Sequence, residues 1–318
     1  MYRLLRPFEY HEPETVTAAV DLLVRYGDAA RVVAGGTDLV ISMKKRELAP
    51  THLVAIEQLT ELDFLERTPA GGLRIGPLVT HAAVAQSPLV QEHYPMLAVA
   101  SNEVGTPQIR NMGTIGGNVC KSGPSQDTPP VLVALEAELR LQGPSGERVV
   151  PMGDFCTGPF CTVLMADEVL TEIHIPPLPP RSAGTYKWCT KVTATDETLA
   201  GVAVVVVLAE DGTCADVRIG MGSVAPTATR APEAEGMLRG AVLDPQLIGL
   251  AARMAAGECR PRSRPDYRRR MVRVLTEEAI TELWEGLSAT TFPAIPGGRD
   301  AGSAPGGRSS DDATGGAR

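Results

Sequence analysis

Aromatic side chains are scarce in this chain: five Phe, six Tyr and two Trp make up 4% of 318 residues. Binding of single-stranded nucleic acid leans on aromatic faces for base stacking, so this scarcity argues against it. Excess positive charge is also missing. There are 38 acidic and 30 basic residues and a net charge of −8, so a nucleic acid or anionic membrane would meet overall repulsion. No apolar run approaches the ~20 residues of a membrane span; the longest, Val202–Ala209, has the length of a strand. The opening Met1-Tyr2-Arg3-Leu4-Leu5-Arg6-Pro7 lacks the apolar core of a signal peptide. Six cysteines (Cys120, Cys156, Cys161, Cys189, Cys214 and Cys259) are scattered without zinc or iron–sulfur spacing. Reduced thiols and a cytoplasmic location are the expectation. The five histidines (His11, His52, His81, His93 and His174) fall in no metal-ligand spacing, and no G-x-S-x-G elbow occurs. With no catalytic constellation and no metal site to assign, the chemistry is expected to come from a bound cofactor.

What the chain does have is turn-forming residues, 32 Gly and 26 Pro, with enough apolar content (43%) for a real core. Its length suits two or three domains. Residues 13–27 read as a helix, with Val16, Ala19, Val20, Leu23 and Tyr26 on one face and Gly27 ending it. The strand Arg31–Ala34, a short helix over 38–45 and the strand His52–Ile56 complete a small β/α unit at 1–57. A second unit follows at 58–177, with a strand at Leu73–Gly76, a helix capped by Thr80, helices near 94–101 and 128–137, a hairpin around Gly143-Pro144-Ser145-Gly146 and a strand at Glu168–Ile175. Pro176-Pro177-Leu178-Pro179-Pro180 is a linker. Beyond it, three antiparallel strands (185–191, 199–208 and 213–221, with Asp211-Gly212 turning the last pair) precede helices near 231–239, 245–256 and 267–287. This is an α+β domain at 182–287. The Gly- and Ser-rich remainder, 288–318, reads as a disordered tail.

Two glycine turns carry the chemistry. In Val33-Ala34-Gly35-Gly36-Thr37-Asp38-Leu39 a strand runs into a helix start, where consecutive N–H groups and the helix dipole suit an anion. Glycine lets backbone approach a phosphate without a Cβ clash. The spacing is neither a Rossmann fingerprint nor a P-loop, and a plain strand-to-helix turn is the competing reading. The second turn, Thr114-Ile115-Gly116-Gly117-Asn118, adds hydroxyl and amide side chains, with Arg110 as a candidate counter-charge. Two such turns in one region suggest two loops closing on one diphosphate. Asp127 precedes a helix and reads either as an N-cap or as an acceptor for ribityl or ribose hydroxyls. The basic stretch Arg260–Arg273 reads as a solvated or partner-facing surface.

These segments resemble the FAD-binding (medium) subunit of the molybdenum hydroxylases, the group that includes carbon monoxide dehydrogenase and xanthine dehydrogenase. The resemblance rests on Ala34–Leu39 with Met43-Lys44, on Gln108–Asn118, Pro124–Pro130, Phe155–Leu164, Glu168–Pro176 and Tyr186-Lys187, and on Tyr267-Arg268-Arg269, in the family's order over about 1–287. It implies a two-subdomain FAD-binding fold of the vanillyl-alcohol-oxidase (PCMH) type, followed by a C-terminal α+β domain with a three-stranded antiparallel sheet. It further implies that Val33–Leu39 and Thr114–Asn118 hold the FAD diphosphate, Asp127 the ribityl or ribose part, and that Leu170 and Lys187 lie near the flavin ring. The partners it implies are a molybdopterin-containing large subunit and a small subunit with [2Fe–2S] clusters, assembled as a dimer of heterotrimers. Electrons would pass from the clusters to FAD and on to NAD⁺, a quinone, oxygen or another acceptor. Thr193-Ala194-Thr195-Asp196 departs from the basic residue many relatives carry near the flavin, which leaves the acceptor open; Gly76-Pro77 likewise replaces a more common Gly-Ala. A self-contained FAD oxidase or reductase is the alternative, and would need its own substrate pocket and base. A flavin-containing assembly protein is a third.

Overall fold

The computed structural model describes residues 4–192 and 197–291. Three larger sheets and one two-stranded ribbon organise the described residues, and the elements between them place two loops face to face. The first unit holds β1 (Glu9–His11), α1 (Val16–Tyr26), β2 (Ala30–Val33), α2 (Leu39–Lys45) and β3 (His52–Ala55). Its strands form a parallel sheet ordered β1-β3-β2. Thr15 caps α1 through its hydroxyl, and Gly27 ends it at φ 51, a left-handed conformation that glycine adopts without Cβ strain. Val16, Ala19, Val20 and Leu23 bury one face of α1 against Val54 of the sheet and Ile56 just beyond it, as the helical spacing requires. The opposite sheet face, Val33, Leu53 and Ala55, packs on Met43 of α2.

The second unit contributes β4 (Leu65–Arg67), β5 (Leu73–Ile75), α3 (His81–Gln86), α4 (Pro88–His93), α5 (Pro95–Glu103), α6 (Pro107–Met112), α7 (Ile115–Lys121) and α8 (Thr128–Ala134). There follow β6 (Glu138–Gly143), β7 (Gly146–Pro151), α9 (Met152–Phe155), the small ribbon β8 (Cys156–Gly158) with β9 (Cys161–Thr162), and β10 (Val169–Ile175). The five-stranded sheet is antiparallel, ordered β4-β5-β10-β6-β7. Its core joins Leu73, Leu139, Leu141 and Ile173 to Tyr94, Leu97, Ile115 and Leu132 of the helical layer.

The C-terminal unit has β11 (Ser182–Thr190), β12 (Thr198–Leu208), β13 (Cys214–Gly222), β14 (Thr229–Arg230), α10 (Pro232–Leu238), α11 (Pro245–Glu258) and α12 (Pro265–Thr291). The expected three-stranded sheet has four strands, in the order β11-β12-β13-β14. The added strand is two residues long, too short to show a period of two in sequence. The expected Asp211-Gly212 turn is present: Gly212 sits at φ 85, and the Asp211 carboxylate accepts hydrogen bonds from the Thr213 backbone N–H and hydroxyl. Helix α12 runs through Thr291, past the expected start of the tail at 288; residues 292–318, and the Thr193–Asp196 segment, lie outside the described residues.

One side of the C-terminal sheet packs on α11 and α12, while Tyr186, Ala203 and Val205 reach into the core of the second unit. Close backbone approach holds that seam: a Cβ on Gly220 would lie 2.1 Å from the Pro130 carbonyl oxygen. No helix among the described residues is long and apolar enough to cross a membrane.

Candidate functional site

The two glycine turns meet. A Cβ on Gly35 would lie 1.7 Å from the carbonyl oxygen of Met112, and one on Gly116 would lie 2.3 Å from the Pro77 ring, so neither position accepts a side chain. Gly35 lets the first turn pack on the segment that leads into the second, and Gly116 lets the second turn pack on the loop that follows β5. Gly36 and Gly117 differ. Gly36 has φ +67 and no atom closer than 3.6 Å to its Cβ position; a Cβ on Gly117 would meet only its own cap, Thr114 Oγ1, at 3.0 Å. Both line a cleft of about 510 Å³. A Cβ on Gly36 would fill cleft space, as expected where backbone must approach a ligand, whereas one on Gly117 would also crowd the capping hydroxyl.

The second turn is the first turn of a helix. Thr114 is the N-cap of α7, accepting a hydrogen bond from the Gly117 N–H at 3.0 Å, so Gly116 and Gly117 are helical residues. Thr114 also bridges to Thr80, and the His81 N–H donates to the Gly113 carbonyl at 3.0 Å, which ties this helix start to the start of α3. The first turn leads into α2, whose N-cap Asp38 makes no side-chain cap bond. Both helix starts open on one cleft, but on α7 the N–H groups are already used: Ile115 and Gly116 donate to the Val79 and Pro77 carbonyls, and Gly117 and Asn118 donate to Thr114, whereas the N–H groups of Gly35–Leu39 have no partner among the described residues.

Val33, Ala34, Gly35, Gly36, Thr37, Asp38 and Leu39 all line this cleft, as do Thr114, Gly116, Gly117, Asn118 and Leu170. Ile115 does not line it: its side chain is fully buried in the core and its N–H donates to the Val79 carbonyl. Asn118 is oriented by the Thr128 hydroxyl, which donates to its Oδ1 at 2.7 Å.

Asp127 and Lys187 lie elsewhere. Asp127 stands at the N-cap position of α8 but makes no cap bond. Its buried Oδ1 accepts from the hydroxyls of Tyr186 at 2.9 Å and Thr198 at 2.7 Å, both on the C-terminal sheet. Burial raises its pKa above the usual carboxylate value, against the lowering effect of those two hydrogen bonds. The carboxylate is therefore committed to the seam between units. Lys187 faces away because side chains alternate along a strand. Its neighbours Tyr186 and Trp188 stack on each other against the second unit, which turns Lys187 toward α12, where it pairs with Glu282. Arg110 donates to the carbonyls of Val104 and Gly105 and does not line the cleft.

Other lining groups had no signature in the sequence. Lys121 reaches the cleft from the end of α7, donating to Ser42 Oγ at 3.4 Å with its ammonium 4.9 Å from the Phe160 ring centre, and brings positive charge beside the glycine turns. Arg31 lies along β2, its guanidinium bonded to the carbonyls of Asp28 and Ala30. The Leu164–Glu168 loop closes one wall; Glu168 holds it by pairing with Arg148 at 2.7 and 2.8 Å and accepting the Met165 N–H at 2.8 Å. The Arg148 contact holds the Glu168 pKa below its ordinary value. His81, 2% exposed, lines the cleft with Nδ1 unpartnered among the described residues; burial, aided by the positive charge of Arg110, lowers its pKa to about 4, so the imidazole is neutral near pH 7.

A cleft lined by the unpartnered N–H groups of the first glycine turn, a sterically open glycine and a lysine suits a phosphate-bearing cofactor. Comparison with known proteins says which. Residues 6–178 match the FAD-binding domain of molybdopterin dehydrogenase, and residues 185–283 match the C-terminal domain of carbon monoxide dehydrogenase flavoprotein. The chain belongs to the FAD-binding subunit family of the molybdenum hydroxylases. It is 34% identical over 281 residues to the carbon monoxide dehydrogenase medium chain of Hydrogenophaga pseudoflava, covering 87% of this chain and 97% of that one. It is 31% identical over 279 residues to the xanthine dehydrogenase FAD-binding subunit of Escherichia coli O157:H7, covering 86% and 94%. The solved carbon monoxide dehydrogenase of H. pseudoflava superposes with a TM-score of 0.84 at 34% identity, over 89% of this chain and 99% of that one. Quinoline 2-oxidoreductase of Pseudomonas putida gives 0.83 at 27% identity, over 90% and 99%. FAD is the cofactor of this family of oxidoreductase flavoprotein subunits, and the open Gly36, the unpartnered N–H groups of the first turn and Lys121 fit its diphosphate.

Proposed function

We propose that this chain is the FAD-carrying electron-transfer subunit of a multi-subunit molybdenum hydroxylase, receiving electrons from the [2Fe–2S] clusters of a small partner chain and delivering them to an external acceptor. A molybdopterin-containing large subunit completes the set, in a cytoplasmic dimer of heterotrimers. FAD, when bound, supplies a carrier that exchanges electrons singly or in pairs. The residues do the rest. Ala34–Leu39 and Thr114–Asn118 hold the diphosphate, the first turn through its unpartnered N–H groups and the second through the Asn118 side chain and the bare backbone of Gly117, with Lys121 compensating its charge. Leu170, 3% exposed at the start of β10, presents an apolar surface to the flavin ring and excludes water there. The Arg148–Glu168 pair fixes the loop that closes that wall. Units at 1–57, 58–177 and 182–287 are part of this reading: the first supplies one glycine turn, the second the other, and the third packs on the second through Asp127.

The observation that carries the proposal is the convergence of both turns on one cleft through the Gly35–Met112 approach, with Gly36 and Gly117 left open. The test is Gly36→Trp and Gly117→Trp in the purified complex. Both variants should lose flavin while the partner chains keep their iron and molybdenum. Stoichiometric FAD in both would overturn the loop assignment.

A further inference from the structure

The first sheet brings together three side chains that the sequence keeps apart. In the parallel pair β1/β3, Glu9 lies opposite His52, and His11 lies two residues further along β1. The period of two places Glu9 and His11 on one face of β1, and the register puts His52 beside them on that face. The backbone fixes this register, with the Glu9 N–H donating to the Thr51 carbonyl at 2.8 Å. Tyr26, at the end of α1, stacks on the His52 ring at 3.8 Å between centroids and 13° between planes, and on His11 at 5.0 Å. Both imidazoles are thereby held.

Three atoms converge. His11 Nε2 lies 3.1 Å from His52 Nδ1, and Glu9 Oε2 lies 3.8 Å from the first and 3.6 Å from the second. A point equidistant from all three lies about 2.0 Å from each, which is the bond length that Zn²⁺ makes to imidazole nitrogen and carboxylate oxygen. We propose that Glu9, His11 and His52 form a binding site for one divalent transition-metal ion of zinc type. Two imidazoles and one carboxylate are a donor set such ions favour over Mg²⁺ or Ca²⁺, and the exposed side of Glu9 leaves room for a water as fourth ligand. Without the ion the two rings share a hydrogen bond. Binding asks each ring to swing slightly toward the common point, and the donating imidazole to move its proton to its other ring nitrogen. None of the three residues lines the cofactor cleft, so the ion is independent of FAD. Its effect is to pin the three-residue strand β1 to β3.

The test uses the full-length, FAD-loaded chain stripped of metal by a chelator and titrated with Co²⁺ and Zn²⁺. One equivalent of Co²⁺ should bind with the visible d–d bands of four- or five-coordinate nitrogen and oxygen ligation, and Zn²⁺ should displace it. His11→Gln and His52→Gln should each weaken binding at least tenfold, Glu9→Gln less, with FAD content unchanged. Undiminished binding in both histidine variants would overturn the site, as would no stoichiometric uptake. So would a thiolate-to-cobalt charge-transfer band, which would assign the metal to cysteines such as the exposed Cys161. If the variants fold poorly, the Co²⁺ spectrum of the unmodified chain still separates imidazole from thiolate ligation.

Discussion

Replacing His81 by Leu should remove a pH-dependent part of this protein's stability. The imidazole is 2% exposed at the start of α3, beneath the second glycine turn, and its Nδ1 has no partner among the described residues. Burial, with the charge of Arg110 adding to it, lowers its pKa from 6.5 to about 4. In the unfolded chain this histidine takes up a proton as pH falls through about 6.5; in the folded chain it stays neutral until about 4. Between these values the unfolded state binds more protons, so stability falls as pH falls through the window and levels off below it. A gap of about 2.5 pH units at about 1.4 kcal/mol per unit gives a loss on the order of 3 kcal/mol from this one residue. The assay is urea unfolding of both proteins at several pH values from above 6.5 to 4, reported as the difference between them, which cancels titrations they share. That difference should change by about 3 kcal/mol across the window. A difference that stays flat would refute the reasoning, because His81 would then be charged or partnered in the folded chain.

Gly117→Ala should separate folding from cofactor binding: its methyl intrudes on the cleft and should weaken FAD binding in equilibrium dialysis, while the helical gain of roughly 0.5–1 kcal/mol is offset by its 3.0 Å approach to the capping Thr114 Oγ1, so a melting scan should show little net change in stability. Gly35→Ala, whose methyl would meet the Met112 carbonyl at 1.7 Å, should lose both. Asp127→Asn should be mild, because one carbonyl oxygen can still accept from Tyr186 and Thr198, whereas Asp127→Ala strands two buried hydroxyls and should cost about 2–4 kcal/mol in urea unfolding. Flavin content unchanged in the Asn variant would agree with a seam role; its loss would return Asp127 to the cofactor. Arg148→Met should loosen the Leu164–Glu168 wall and cost roughly 1–3 kcal/mol. The Glu168 pKa is held below its ordinary 4.5, so the pair stabilises above that value and its contribution is lost as pH falls through the lowered pKa; an acid titration of stability should lose that step in the variant.

Much of the fold was legible because its signals are local. Thr15, Thr80 and Thr114 cap helices through their hydroxyls, and of these Thr80 is readable from its place before an apolar helical stretch. Both glycine turns were visible as Gly-Gly pairs, but which glycine packs and which stays open is set by residues far away in sequence: Met112 meets Gly35, and Pro77 meets Gly116. Asp127 shows the limit most clearly. Its position before α8 fits a cap and its chemistry fits a sugar hydroxyl, yet its partners, 59 and 71 residues downstream, belong to another unit. Lys187 shows a simpler limit, since a strand's period of two is readable but the face that meets a neighbour is decided by packing. Short strands such as β1 and β14 carry too few residues for periodicity, and the Glu9–His11–His52 cluster depends on the register of one of them.

The central claim, that this chain carries FAD as one subunit of a molybdenum hydroxylase, is tested most directly by measuring flavin, iron and molybdenum per chain in the natively purified protein. The account predicts about one FAD with roughly four iron and one molybdenum, carried by a co-purifying small chain and large chain. FAD on this chain alone, with neither metal nor partner and with turnover of a small substrate, would contradict it.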